Sequence, residues 1–290
     1  MRDTTLPATR ASAEWLVASL FCLAAAPRTA ASPTPPFPQG HGMTLVDPPV
    51  AATWPVVELR RYTLHPGRRD DLVDLFEREL IEPQDALGMP VLLHAREPAV
   101  PDRFIWFRAF RDRAARAPAL RAFYEGPVWQ AHRDAANATM VDSDDVHLLR
   151  EATPGSGFAL PSRRPPLGTA AAKAVIDVAV HHFAEPVDAT LAAFFADEVA
   201  PVARACGARI LASYATDPGP NEFPRLPVHE GEHVFVHVAA FDDEAAHARA
   251  RGAFACSSRW REITVELARR ACAPTERHRL APAARSLVRG

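Results

Sequence analysis

The sequence has almost no lysine and no excess of charge of either sign. Lys173 is the single lysine, and 33 Lys+Arg stand against 35 Asp+Glu, a formal net charge of −2. This balance lacks the basic footprint that phosphate backbones and anionic lipid surfaces require, so we expect neither nucleic acid nor a membrane as a partner. No apolar run reaches the roughly 20 residues that a spanning helix needs, which excludes an integral membrane protein.

Cysteine is scarce, and the motifs of several large enzyme classes are missing. The four cysteines are widely spaced and form no CxxC pair, which argues against a zinc ribbon and a disulfide framework: Cys22, Cys206, Cys256 and Cys272. There is no P-loop, Gly-rich phosphate loop or Gly-x-Ser-x-Gly elbow, which argues against kinases, dinucleotide enzymes and serine hydrolases. We therefore expect no cofactor, while haem and metal remain open alternatives.

The first 55 residues form a Pro/Ala-rich leader that we expect to be disordered. Eight prolines between Pro27 and Pro55 are incompatible with helix or a central strand. The apolar stretch 15–26 has the outline of a weak secretory signal, but Glu14 and Arg28 flank it poorly. We predict a cytoplasmic protein, with export as the alternative, and a gene start near Met43 would also explain the leader.

Residues 56–151 and 175–282 repeat one pattern, joined by a Pro/Gly-rich linker at 152–174 and followed by a tail at 283–290. Each copy opens with a period-2 strand and continues into a helical pattern that ends at Gly88 or Gly207, 119 positions apart. Later elements align at an offset of 131, because the second copy carries a longer connection at 217–232. The order strand, helix, strand, strand, helix, strand predicts two ferredoxin-like βαββαβ repeats of the α+β class.

Alternation within the first strands predicts how the two copies pair. Val57 and Leu59 lie on one face of the first strand, and we expect that apolar face to receive the helices. The opposite face carries Glu58 and Arg60, and we expect it to point inward when the two sheets close on each other. The sequence therefore predicts an intramolecular dimeric α/β barrel with a polar interior, and self-association remains open.

The first repeat resembles the NIPSNAP family in a series of motifs. They run from Glu58-Leu59-Arg60-Arg61-Tyr62-Thr63-Leu64-His65-Pro66-Gly67-Arg68 through Asp102-Arg103-Phe104-Ile105-Trp106-Phe107-Arg108-Ala109-Phe110 to Phe123-Tyr124 and Val128-Trp129. The second repeat is similar only in outline and has Asp177, Ala179 and His181 in place of the first signature. The resemblance implies the dimeric α/β-barrel fold without one established activity, since barrels of this class include cofactor-free monooxygenases, cyclases, isomerases and haem enzymes.

The predicted inward faces supply the candidate site. His181, His237 and Asp177 are the candidate catalytic residues, because a carboxylate beside an imidazole equips it for acid/base work. The candidate substrate-binding residues are Glu58, Arg60, Tyr62, His94, Trp106, Arg108 and Phe235. The alternative is that these charged groups only satisfy one another between the sheets. Two histidines and an aspartate also match a facial metal triad, although no local spacing supports one.

We predict a protein of bacterial metabolism that binds a small organic molecule inside the barrel. Its activity would be cofactor-independent acid/base chemistry of the monooxygenase, isomerase or cyclase type. The alternative is a non-catalytic binding or scaffold protein whose barrel is filled by side chains, and haem binding through an inward histidine is a third hypothesis. The 217–232 connection is a candidate lid over the barrel mouth.

Overall fold

The structure is a computed structural model that describes residues 54–161 and 163–290. The predicted leader lies outside the described residues except for its last two positions. The first repeat consists of β1 (Val56–Leu64), α1 (Arg69–Leu75), a π-helical turn (Phe76–Leu80), α2 (Ile81–Ala86), β2 (Val91–Arg96), β3 (Arg103–Phe110), α3 (Arg113–Tyr124), α4 (Pro127–Asn137), β4 (Met140–Asp142) and β5 (Val146–Glu151). Among the described residues, no helix is long and apolar enough to cross a membrane.

The second repeat follows the same order, with a single bridge between Phe183 and Ala271 in place of β4. It consists of β6 (Val175–Phe183), α5 (Ala189–Phe194), a π-helical turn (Phe195–Val199), α6 (Ala200–Ala205), β7 (Arg209–Thr216), β8 (His233–Phe241), α7 (Glu244–Cys256), α8 (Ser258–Arg270) and β9 (Glu276–Pro282). The two π-helical turns begin 119 positions apart, the offset found in the sequence. Gly88 and Gly207 end the helices as predicted, with φ of +74° and +96°, values at which a side chain would be strained.

Each repeat has two helices after its third strand, where we predicted one. In the first repeat the break falls at Gly126, between α3 and α4. A Cβ on this residue would lie 2.5 Å from the carbonyl oxygen of Ala122, so the chain can turn this tightly only with glycine. Asp112 and Asp243, 131 positions apart, cap α3 and α7 by accepting the backbone N–H three residues further on, each at 2.7 Å.

Eight strands close into an antiparallel barrel. The first repeat has the strand order β2-β3-β1-β5, and the second has β7-β8-β6-β9. The edges of the two sheets then pair with each other, β2 with β9 and β5 with β7, while β4 adds to β1 outside the ring. This confirms the predicted fold of two ferredoxin-like repeats forming one intramolecular dimeric α/β barrel.

The two faces of the sheets are oriented opposite to our prediction. Val57 and Leu59 of the first repeat pack in one cluster with Ile176 and Val178 of the second, inside the barrel. Side chains that fill this interior also include Leu93, Ile105, Phe107, Leu149, Val180, Val234, Val236, Val238 and Leu280, all without solvent exposure or nearly so. The prediction was wrong because the interior of an eight-stranded barrel is narrow and filled by closely packed side chains, which favours the most apolar face of the strands there.

The polar faces therefore lie against the helices. Tyr62 and Trp106 belong to a second cluster that includes Phe76 and Leu120 from the helices of the first repeat. Phe235 packs in the same way against Phe195 of the second repeat. The ten candidate site residues thus occupy two separate layers between sheet and helices, one in each repeat, and do not line a shared interior.

Candidate functional site

A buried ion cluster lies between the sheet and the helices of the first repeat. The carboxylate of Glu58 accepts hydrogen bonds from Arg60 Nη1 at 2.9 Å, from Arg116 Nε at 2.7 Å and from Arg108. These four side chains are at most 1% exposed. Strand alternation places Glu58, Arg60 and Arg108 on one face, and α3 brings Arg116 over them.

One buried carboxylate thus serves three guanidinium groups. Burial by itself raises the pKa of the Glu58 carboxyl, but the charges of Arg108, Arg116 and Arg60 outweigh it and hold the pKa far below its usual value. Glu222, at the rim, is 3.8 Å from Arg116 and also pairs with Arg113, an arginine outside the buried cluster. The cluster therefore keeps a surplus of positive charge.

A pocket of about 340 Å³ borders this cluster. Its wall includes Tyr62, whose hydroxyl accepts a hydrogen bond from Arg60 Nε at 2.9 Å. Burial raises the pKa of Tyr62, so this phenol is neutral at physiological pH. The pocket is lined by Arg60, Tyr62, Tyr124, Trp129, Arg133, Asp134, Asn137, Met140, Ser143, Arg225 and Leu226.

The long connection of the second repeat covers this pocket of the first. Arg225 and Leu226 form part of its lining, and Phe223 stacks on Tyr124 with ring centroids 6.4 Å apart. Asn221 accepts a hydrogen bond from Arg116 at 3.0 Å, which ties the connection to the ion cluster. The predicted lid segment thus lies over the sheet-to-helix pocket, while its final residues, from His229 to Glu232, border a second cavity.

The second repeat brings together two of the three candidate catalytic residues. His181 Nε2 lies 3.2 Å from His237 Nδ1, and the hydroxyl of Thr275 lies 2.9 Å from His181 Nδ1. Asp177 instead pairs with His247 of α7 at 3.0 Å. The predicted carboxylate-imidazole pair is therefore wrong in its partner, because a side chain four residues along a strand lies too far away while a helix residue stands directly above.

The two histidines are neutral at physiological pH. Burial lowers the pKa of His237 to about 3, and burial together with the neighbouring His237 lowers the pKa of His181 well below its usual value. In this state both imidazoles are weak bases, and each carries one donor and one acceptor nitrogen. Phe195 packs on His181 and His237, with ring centroids 5.1 and 6.1 Å apart, so this cluster resembles a satisfied core.

The remaining candidates are also buried in packed positions. His94 is hydrogen-bonded to Glu77 at 2.9 Å, and Trp106 lies under Phe76 with centroids 5.0 Å apart. Phe235 is stacked on Phe195 at 3.6 Å. Of the ten candidates, only Arg60 and Tyr62 reach the pocket.

Sequence reasoning missed the helix residues of the site. Arg116 and Tyr124 lie on α3, and Trp129 and Arg133 lie on α4. The repeat offset holds the signal for one of them: Arg116 and His247 are 131 positions apart, and they pair with Glu58 and Asp177, which are 119 apart. The repeat thus carries one acid-base pair in two versions, buried in the first copy and partly exposed in the second.

This arrangement, a closed eight-stranded ring with helices outside and a polar layer beneath them, defines the dimeric α/β-barrel class. The profile of the NIPSNAP family matches residues 57–153. The match covers the first repeat, which is therefore similar to a NIPSNAP domain, and the second repeat lies outside it. No curated protein matches the chain.

Solved structures of similar architecture are distant in sequence. A proposed monooxygenase from Fusobacterium nucleatum has 8% identity and a TM-score of 0.49, over 79% of this chain and 92% of that one. A proposed monooxygenase from Lactobacillus acidophilus has 13% identity and a TM-score of 0.48, over 79% and 94%. An uncharacterised NIPSNAP domain protein from Burkholderia xenovorans has 15% identity and a TM-score of 0.28, over 32% and 88%.

Proposed function

We propose that the pocket of the first repeat binds a small planar organic anion, such as an aromatic carboxylate or a phenolate. The observation that carries this proposal is the surplus of positive charge beside the pocket, where Glu58 is shared by three buried guanidinium groups and Glu222 adds one contact to Arg116 from the rim. An anion in the pocket would balance part of that charge in a region of low dielectric, where the attraction is strong.

The walls of the pocket suit a flat ring. Trp129 and Tyr124 lie with ring centroids 5.0 Å apart, and both line the pocket. Tyr62 accepts its hydrogen bond from Arg60, so its own O–H is available to donate to an anionic oxygen. A volume of about 340 Å³ is near the lower end for ligand pockets and fits a one-ring compound better than a dinucleotide or haem.

Acid/base catalysis is the second candidate, and the contact between His181 and His237 favours it. Against it, both imidazoles have low pKa values and lie in the repeat opposite the pocket. The filled barrel interior agrees with the scaffold hypothesis, but the pocket beside the ion cluster is large enough to hold a small ligand outside the barrel. We therefore propose ligand binding as the function that the geometry supports best.

Fluorescence titration with benzoate tests the proposal, because Trp129 lies in the pocket wall. We expect saturable quenching that benzamide, the neutral analogue, does not produce. Arg225→Gln should weaken benzoate binding about tenfold, the effect of losing one charge-assisted hydrogen bond. Arg111→Gln, an equally large change at an exposed position outside the pocket, is the matched control and should leave affinity unchanged. The proposal would be overturned if Arg225→Gln and Arg111→Gln bound benzoate equally well, or if the wild type bound benzamide as well as benzoate.

A further inference from the structure

Three potential metal ligands converge at the end of the barrel where β1 and β6 finish. Asp145 precedes β5, His147 is the second residue of β5 with its side chain on the barrel face, and His229 belongs to the β7–β8 connection. One ligand atom from each lies within 4.8 Å of the other two. The backbone N–H of His229 donates to the carbonyl of Val146 at 2.8 Å, which fixes the connection beside β5.

The Nε2 atoms of His147 and His229 are the ring nitrogens that would bind the ion. His229 Nδ1 lies 3.1 Å from the carboxylate of Glu232, and His229 Nε2 lies 3.0 Å from Asp145 Oδ1. A bound metal ion would replace the proton between Nε2 and Asp145, while Glu232 would keep the proton on Nδ1. Nε2 of His147 lies 3.1 Å from Arg61 Nη2, a group that can only donate, so this nitrogen presents its lone pair. Two imidazole nitrogens and one carboxylate oxygen suit zinc and similar divalent transition metals.

The guanidinium group of Arg61 already contacts two of these three ligands. Arg61 Nη2 donates to Asp145 Oδ1 at 2.6 Å and contacts His147, while Arg61 Nη1 pairs with Glu276. Arg61 is only 4% exposed, which leaves its guanidinium few alternatives. The arginine thus takes the position that a metal ion would take, with contacts to two of the three ligands.

The site is reachable from solvent. A cavity of about 790 Å³ borders Arg61, Asp145 and His229. Asp145 and His229 are about one third exposed, whereas His147 is buried, so an ion entering from the cavity would meet the two exposed ligands first. The cavity also has room for water molecules to complete the coordination.

We infer that Asp145, His147 and His229 form a binding site for a divalent transition metal ion of the zinc class, and that Arg61 competes with the ion for these ligands. None of these four residues lines the proposed anion pocket, and the inference does not depend on that proposal. Its two features predict opposite effects: loss of a histidine weakens metal binding, and loss of Arg61 strengthens it.

The test uses Co²⁺ as a spectroscopic probe and Zn²⁺ in competition with it, on the full chain. We expect the wild type to bind one Co²⁺ with visible absorption bands that Zn²⁺ abolishes. His229→Gln should weaken binding at least tenfold. Arg61→Gln should tighten it, since the competing cation is gone. His233→Gln removes a histidine of the same cavity that is not a ligand, and it should bind as the wild type does.

Each other outcome is decisive. Loss of binding in His233→Gln equal to that in His229→Gln would assign the metal to other ligands and overturn the inference. Absence of binding in both the wild type and Arg61→Gln would also overturn it. If Arg61→Gln binds Co²⁺ and the wild type does not, then Arg61 blocks the ligands in the natural protein, which contradicts the inference that the wild type binds a metal ion. His229 lies in an exposed connection, and circular dichroism of each variant checks that it is folded.

Discussion

Replacing Glu58 by glutamine tests whether the ion cluster under the pocket works as described. The substitution keeps the shape of the side chain and removes the only carboxylate that the buried Arg60, Arg108 and Arg116 share. Removing one partner of a buried ion pair typically costs about 3–5 kcal/mol, because the charge that stays behind is unpaired. Three guanidinium groups stay behind here, so we expect the upper half of that range.

The matched control is Asp177→Asn, at the equivalent position of the second repeat. Asp177 has one partner, His247, and is partly exposed. Burial raises the pKa of Asp177, so the folded state stabilises this charge less than it does that of Glu58, and an amide should cost no more than about 1 kcal/mol. The contrast between the two positions therefore isolates the buried charge cluster from the general effect of removing a carboxylate.

Thermal unfolding followed by circular dichroism gives the comparison. For a domain of this size, 1 kcal/mol corresponds to about 2–4 °C in Tm. We expect Glu58→Gln to lower Tm by at least about 8 °C and Asp177→Asn by less than about 4 °C. Equal shifts would refute the reasoning, because they would mean that the three arginines do not depend on Glu58.

Three further predictions concern stability. Burial lowers the pKa of His237 to about 3, whereas the unfolded imidazole titrates near 6.5, so the unfolded state takes up a proton first as pH falls. The free energy of unfolding should therefore drop by about 2 kcal/mol between pH 7.5 and 5 because of His237. Urea titrations of His237→Gln should show a free energy of unfolding that depends less on pH. Gly126→Ala should destabilise by about 1–3 kcal/mol, whereas Gly252→Ala, in α7 with no atom near the new methyl group, should stabilise by about 0.5–1 kcal/mol; equal changes in urea midpoint would contradict the account of the α3–α4 turn. Phe107→Ala should cost about 3–5 kcal/mol if the barrel interior is packed, against less than about 0.5 kcal/mol for the exposed Val265→Ala, and a small loss at Phe107 would indicate an open barrel.

The fold could be predicted from the sequence because both copies of the repeat show the same order of strands and helices. The offsets of 119 and 131 fix corresponding strands, helices and glycines, and each copy supplies what the other leaves ambiguous. The prediction failed at the choice of faces, since alternation along β1 separates Val57 from Glu58 but does not say which side faces a helix. That choice depends on how the edges β2, β5, β7 and β9 meet, which is a property of the closed ring.

The candidate site was predicted only in part for the same reason. Arg60 and Tyr62 were found because a strand motif displays them, whereas Arg116 and Tyr124 lie on a helix whose packing partner depended on the face assignment. The contact of His181 with His237 followed from the neighbouring first and third strands. Absence of a nucleic-acid or membrane partner and a cytoplasmic location stay predictions.

The position of a bound anion is the most direct measurement of the central claim. Crystals grown with 4-bromobenzoate would locate the ligand by the anomalous signal of its bromine. We expect the carboxylate to lie toward Arg60 and Arg225 and the ring to lie against Trp129, in the pocket between the sheet and helices of the first repeat. A bromine peak inside the barrel, or beside His181 and His237 in the second repeat, would contradict it.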